Sequence, residues 1–299
     1  MKISDISYEG KVLKDIDFNW LGLTAEEYKN KRVLTFLSDM KYYEEIKKNK
    51  TIVGIVTTLE IGEKLDKTDY GILVVSNPRE VFFKLHNRLV QNNFYYQKNS
   101  NIISNKANIS SKAYIGENNI IIEDNVIIED NVSIYPNSVI KKGAIIRAGS
   151  RIGGDGFEFT RIESDILKVE FAGSVIIDEN VEVQNNTCID RGVFSDTYIG
   201  INSKIDNLVH IGHDVKIGNN VLIVACTLIG GRTKIGDNSY LGPNCTVKNG
   251  LQLGKNSRVS MGSVVTKNVG DDETVTGNFA ISHTKFLKIF KYLIKLIGE

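Results

Sequence analysis

An aliphatic residue occupies every sixth position of this 299-residue chain from Ile199 to Val265, twelve times without a slip. The series is Ile199, Ile205, Ile211, Ile217, Ile223, Ile229, Ile235, Leu241, Val247, Leu253, Val259 and Val265. The same clock runs upstream at Ile103, Ile109 and Ile115, resets by one residue, and continues at Ile122, Ile128, Ile134, Ile140, Ile146 and Ile152. It returns at Ile177, Val183 and Ile189. A period of six suits neither a helix nor a long alternating strand. It suits short strands joined by tight turns, coiled so that each aliphatic points inward onto its equivalent. Gly, Asn and Asp follow the aliphatic, as in "KIGNNV", "KIGDNS" and "QLGKNS", and Gly and Asn tolerate the positive φ that such turns need. Three strands per coil make a triangular β-solenoid with coils about 4.8 Å apart. The hexapeptides suffice for about eight coils, each burying its core against its neighbours only.

The predicted architecture is therefore mainly β. A parallel β-helix covers 101–270, a small α/β domain precedes it over 1–100, and a tail with a short helix follows over 271–299. In the front segment "KRVLTFL", "KTIVGIVTT" and "YGILVVS" read as strands. "PREVFFKLHNRLVQNNF" reads as a helix, with Val81, Leu85 and Leu89 on one face and Pro78 at its start. At the far end "HTKFLKIFKYLIKLIGE" is amphipathic, with Phe286, Ile289, Phe290, Leu293 and Ile297 in one stripe and Lys285, Lys288, Lys291 and Lys295 elsewhere. A lone helix of that length is marginal, so it is expected to pack within an oligomer. Its lysines also suit an acidic acyl carrier protein or an anionic membrane surface, which places the chain near a membrane without spanning it.

Composition closes off other classes. The net charge of +1 offers no basic field for nucleic acid. Cys188, Cys226 and Cys245 show no CxxC and no zinc spacing, as expected of reduced thiols in a cytosolic protein. The opening "MKISDISYEG" has no apolar signal region, and no 18-residue apolar run occurs. A cytoplasmic location is expected.

The clock breaks twice, at "GGDGFEFTRIESDILKVEFAGSVI" and at "DRGVFSDTY". Loops thrown out of a rigid scaffold are where function tends to sit. In "NLVHIGHDVKIGNN", His210 takes the last place of its hexapeptide and His213 the third place of the next. Both point away from the aliphatic core, in different directions. Zinc needs three or four convergent ligands. With His86 and His283 in the flanking segments, two histidines do not supply them, and no metal is expected. One coil beyond His213 stands Gly231, in "LIGGRT". An imidazole with a pKa near ~6.5 accepts a proton at neutral pH, and a backbone N–H stabilises an oxyanion. Together they suit acyl transfer from a thioester to an amine without a covalent intermediate.

The repeat itself resembles the hexapeptide signature of the left-handed parallel β-helix family, mostly trimeric acyltransferases. "GGDGFEF", "TCIDRGVFSDTYIG" and "KIDNLVHIGHDVKIGNNVLI" together resemble the UDP-3-O-acylglucosamine N-acyltransferases of lipid A assembly. That resemblance implies a left-handed helix, a homotrimer, His213 as general base and Gly231 as oxyanion donor. It implies Asp206 beside the base, with Asn207, His210, Asp155 and Phe157 toward the sugar substrate. Phe36 and Tyr42, six residues apart in "TFLSDMKYY", match the pair that clamps uracil, with Asp39 where an asparagine is expected. The implied partners are a UDP-linked amino sugar and an acyl carrier protein or acyl-CoA thioester as donor, with no permanently bound cofactor.

Two departures stand out. Leu251, in "VKNGLQLG", replaces a second functional histidine, and the C-terminal helical extension is short. "VTGNFA" is similar instead to the tail of acetyl-CoA-dependent sugar acetyltransferases, with Phe279 in place of proline. Three functions follow. They are the lipid A N-acyltransferase, a short-acyl-CoA N-acyltransferase of another nucleotide-linked amino sugar, and an inactive binding solenoid.

Overall fold

The computed structural model describes residues 1–299 except 66–67, 164, 278–279, 297 and 299. Ile297 of the apolar stripe and Phe279 of the tail thus lie outside the described residues. Every clock position falls on a short strand, and these strands stack into three parallel sheets of nine, eight and eight. Registers hold the clock in place: Ile211 pairs with Ile229, and Ile229 with Val247. From Ile122 to Val265 every inward aliphatic is buried in one continuous core. The first coil differs, because nothing stacks beneath it, and Ile103 stays 43% exposed.

The corners explain the Asn and Gly content. The third residue after most inward aliphatics is left-handed, usually an Asn, as at Asn125, Asn131, Asn137, Asn202, Asn220, Asn238, Asn244 and Asn256, or a Gly, as at Gly143, Gly149, Gly250 and Gly262. Asn pays little for that conformation. Its amide also bonds the next coil: Asn202 Nδ2 donates to Asn220 Oδ1 (3.0 Å), Asn220 to Asn238 (3.3 Å) and Asn238 to Asn256 (3.3 Å).

The N-terminal sheet contains β1 (Lys11–Lys14), β2 (Trp20–Leu21), β3 (Val33–Leu37), β4 (Ile52–Thr57) and β5 (Gly71–Val74) in the order β1-β5-β4-β3-β2. Only β1 runs antiparallel to its neighbour. Three helices accompany it: α1 (Tyr43–Lys48), α2 (Leu59–Leu65) and α3 (Pro78–Gln91). Asn77 caps α3 by accepting from the Glu80 N–H, and Pro78 takes the first turn, as its fixed φ favours.

The two breaks in the clock are the joint between the parts. Ile140 pairs with Ile177 and Ile189 with Ile211, so each excursion leaves the stack and returns in register. The first holds an antiparallel hairpin, Phe159–Arg161 with Ile166–Lys168. Val169, Phe171, Ala172, Val193 and Phe194 from the two excursions are buried in the N-terminal core beside Trp20, Phe82 and Phe83. Polar bonds tie the same seam. Trp20 Nε1–H donates to the Phe194 carbonyl (3.0 Å), and Asn87 Nδ2 to the Lys168 carbonyl (2.7 Å). His86 Nε2 is 2.8 Å from the Glu170 carbonyl, which can only accept, so that nitrogen carries the hydrogen.

The last helix, α4 (His283–Leu296), buries no side chain. Phe286, Ile289, Phe290 and Leu293 are all exposed, so among the described residues nothing buries this part of the amphipathic stripe. No described helix is long and apolar enough to cross a membrane.

Candidate functional site

Strand His210–Ile211 ends at a corner where His213 turns back against the first excursion. His213 is buried, and its ring meets Phe171 edge-on at 6.0 Å. Nδ1 lies 2.8 Å from Asp214 Oδ2, and Nε2 lies 3.2 Å from Glu158 Oε2. Ionised carboxylates only accept, so the imidazole donates from both nitrogens, which is its protonated form. Burial opposes that charge, but the bonds to Asp214 and Glu158 outweigh it and push His213 up to about 9. The expected neutral-pH imidazole is corrected accordingly: without substrate, two carboxylates hold it as imidazolium.

Asp214 is buried and is itself fixed by the second excursion. Its carboxylate accepts from the backbone N–H groups of Val193 (3.1 Å) and Ser195 (3.0 Å), and from Ser195 Oγ (3.0 Å). Burial pushes its pKa up, while His213, Arg232 and these donors pull harder and leave it lowered. Glu158 shares His213 with an ion pair to Arg232 Nη2 at 3.1 Å. The buried Nη2 makes no well-angled hydrogen bond there.

Gly231 sits one coil on, against the ring. A Cβ at Gly231 would lie 2.7 Å from both Cε1 and Nε2 of His213. The glycine is required by space here. Its N–H has no acceptor among the described residues. At some equivalent corner positions the amide is capped, as in Asn219 N–H to Asp237 Oδ1 (2.9 Å) and Lys255 N–H to Asp271 Oδ1 (2.8 Å), while at others, as at Asp237, Asn249 and Met261, it has no acceptor among the described residues. A protonatable imidazole and an unused backbone donor thus share one corner.

The other candidate residues divide into two groups. His210 lies beside the corner with Nε2 3.5 Å from Asp190 Oδ2. Asp155 pairs with Arg191 (2.7 Å) and Lys168 (3.2 Å), and Gly156 packs on Asp190, which carries the loop across to Glu158. Phe157 projects from that loop, 85% exposed, against Phe159. These residues are gathered around His213. Asp206 and Asn207 are not: Asp206 accepts from the Asn207 and Ala225 N–H groups, shaping a different corner of the coil. Leu251 packs against the solenoid core, so no polar group reaches the site from there.

In the N-terminal domain Phe36 packs on Phe82 (5.1 Å) and Phe83 (5.9 Å), while Tyr42 is exposed beneath Lys41. Asp39 caps the Lys41 N–H at 2.9 Å. Phe82 in turn meets Phe194 at 5.7 Å, so an aromatic stack runs from Phe36 to the loop that holds Asp214. Among the described residues no group of three His, Cys, Asp or Glu side chains could hold a metal.

The description of the bacterial transferase hexapeptide repeat matches residues 119–154 and 196–231, and that of the hexapeptide repeat of succinyl-transferase matches 232–267. A UDP-3-O-acylglucosamine N-acyltransferase of Leptothrix cholodnii is 54% identical over 130 residues, covering 44% of this chain and 38% of that protein. The chain thus carries hexapeptide repeats and over that stretch is similar to this N-acyltransferase. A second relative of the same name, from Delftia acidovorans, is 32% identical over 130 residues, or 44% and 39% of the two chains. The matched stretch thus spans less than two fifths of either relative. The solved UDP-N-acetylglucosamine acyltransferase of Francisella novicida superposes with a TM-score of 0.50 at 27% identity, covering 63% of this chain and 71% of that one. The hexapeptide helix is accordingly of the left-handed type.

Asp214, Glu158 and Arg232 were not among the residues expected from sequence. A signal for two of them was present. The left-handed corner position is mostly Asn or Gly, yet of the five successive corners from 208 to 232 only Asn220 fits, the others being Leu208, Asp214, Cys226 and Arg232. Asp tolerates that conformation but Arg rarely adopts it, so Arg232 in particular marks a corner held for more than the turn.

Proposed function

We propose that the chain is an N-acyltransferase that moves an acyl group from a thioester to the amine of a UDP-linked amino sugar. Its specific form is the UDP-3-O-(3-hydroxyacyl)glucosamine N-acyltransferase of lipid A assembly. The observation that carries this reading is the corner shared by His213 and the uncapped N–H of Gly231.

In this mechanism the sugar binds with its uracil toward Phe36 and Tyr42 and its amine at His213 Nε2. His213, once deprotonated, removes a proton as the amine attacks the thioester carbonyl. The Gly231 N–H holds the oxyanion until the thiol leaves. Asp214 fixes the ring by accepting at Nδ1, as a positioning residue. Asn207, His210 and Asp206 act at the sugar, with Asp206 and Asn207 reaching it across an interface between copies of the chain in a homotrimer. The reaction needs no resident cofactor, and its site is the cytoplasm.

Leu251, packed against the core, favours a second reading, transfer of a short acyl group from CoA to another nucleotide-linked amino sugar. One product assay separates them. The protein is offered UDP-3-O-acylglucosamine with a hydroxyacyl carrier protein and, in parallel, UDP-linked deoxyamino sugars with acetyl-CoA. A hydroxyacyl mass gain on the first acceptor supports the lipid A form, and an acetyl gain on a deoxyamino sugar supports the second. No product in either arm refutes acyl transfer.

A further inference from the structure

We propose that Glu158 is a second acceptor for the reacting amine, and that it selects an amine over a hydroxyl at this site. The inference rests on the acyl-transfer reading and adds a specificity residue to it.

A neutral primary amine brings two N–H groups and one lone pair. The lone pair must face the thioester carbon, and His213 takes one hydrogen. The second N–H needs its own acceptor, because an unpaired donor in a closed site costs free energy. A hydroxyl has no second hydrogen, so it offers that acceptor nothing.

Glu158 meets the geometric requirement. Its Oε2 is 3.2 Å from His213 Nε2, so once Nε2 is deprotonated a nitrogen on the open side of the pair, about 3 Å from each, reaches both acceptors. Both side chains are shielded, with 14% and 9% exposed respectively, so water is a poor substitute. Arg232 keeps its ion pair with Glu158 when the His213 contact yields to the amine. The loop behind Glu158 is pinned by Asp155 to Arg191 and Lys168, so the acceptor is held in place. The direct Glu158–His213 contact is the resting state that the amine replaces.

The step balances without Glu158 changing its own protonation. A C–N bond forms, one amine proton passes to His213 Nε2, and the carbonyl electron pair moves to oxygen. Collapse then breaks the C–S bond, and the departing thiolate takes the proton from His213.

The test compares wild type with Glu158→Ala and Glu158→Gln at pH 9.5, where His213 is largely neutral in all three. The acceptors are UDP-3-O-acylglucosamine and its 2-hydroxyl counterpart, UDP-3-O-acylglucose, with the donor that wild type uses. Glu158→Ala is expected to lose roughly 10- to 100-fold in kcat/KM on the amine, the worth of a hydrogen bond to a charged acceptor, without losing transfer to the hydroxyl. Glu158→Gln retains an acceptor oxygen and is expected to recover most of that loss. Thermal melts report folding separately. Unchanged amine transfer in Glu158→Ala, or a Gln variant no better than Ala, overturns the inference while acyl transfer stands. A wild type that acylates neither acceptor overturns the acyl-transfer reading, and this inference with it.

Discussion

Gly231 presents its α-carbon to the His213 ring across one coil of the helix, so closely that a Cβ would stand 2.7 Å from Nε2. Its φ is not in the left-handed range, so alanine is excluded by the ring alone. Gly231→Ala is expected to cost about 1–3 kcal/mol, as overpacking does, and to depress turnover by displacing the base. In a His213→Ala background the same change meets no ring and is expected to cost far less. Denaturant melts of the four proteins form a double-mutant cycle. Equal costs in both backgrounds would contradict the contact.

The pH profile follows from the charges facing His213. Asp214, Glu158, Arg232 and Asp190 surround it, and the two bonded carboxylates raise it to about 9. The acid limb of kcat/KM for the free enzyme is therefore expected near pH 9. Asp214→Asn should move that limb downward, because a carboxylate that favours the imidazolium is gone. The stability side has the matching sign. A raised folded pKa stabilises fully below the unfolded value near ~6.5, and the contribution fades as pH rises through about 9. NMR titration of the His213 ring, in wild type and Asp214→Asn, measures the shift. A wild-type value at 6.5 would refute the two-carboxylate description.

His86 makes the opposite prediction at the joint. It is buried between Tyr95 Oη (2.7 Å to Nδ1) and the Glu170 carbonyl, and burial lowers it to about 4. A neutral folded histidine must stay neutral while the unfolded chain binds a proton, so stability is lost as pH falls from ~6.5 toward 4. The shift corresponds to about 3 kcal/mol. His86→Gln should flatten the acid dependence of the melting temperature over that window. An unchanged slope would place the acid sensitivity elsewhere.

The solenoid was legible because its physics is local and repeated. An inward aliphatic every sixth residue and an Asn or Gly at most left-handed corners specify strand, turn and register together. The excursions were legible only as interruptions. Phe171 and Phe194 gave no periodic sign that they would enter the N-terminal core. His213 and Gly231 could be related by counting one coil, since a solenoid converts sequence spacing into contact. Glu158 could not, because its loop lies outside the count and returns to the ring through space. The protonation of His213 was missed for the same reason. Asp206 was assigned to the base by motif, but in the coil it closes a different corner.

Single-turnover acyl transfer to UDP-3-O-acylglucosamine and to the deoxyamino sugars, compared between wild type and His213→Ala, tests the central claim most directly. The account expects an acylated sugar from wild type and a rate at least ~100-fold lower in the variant, the usual range for a lost general base, with an unchanged melt. Product formed equally fast without the His213 imidazole would contradict it.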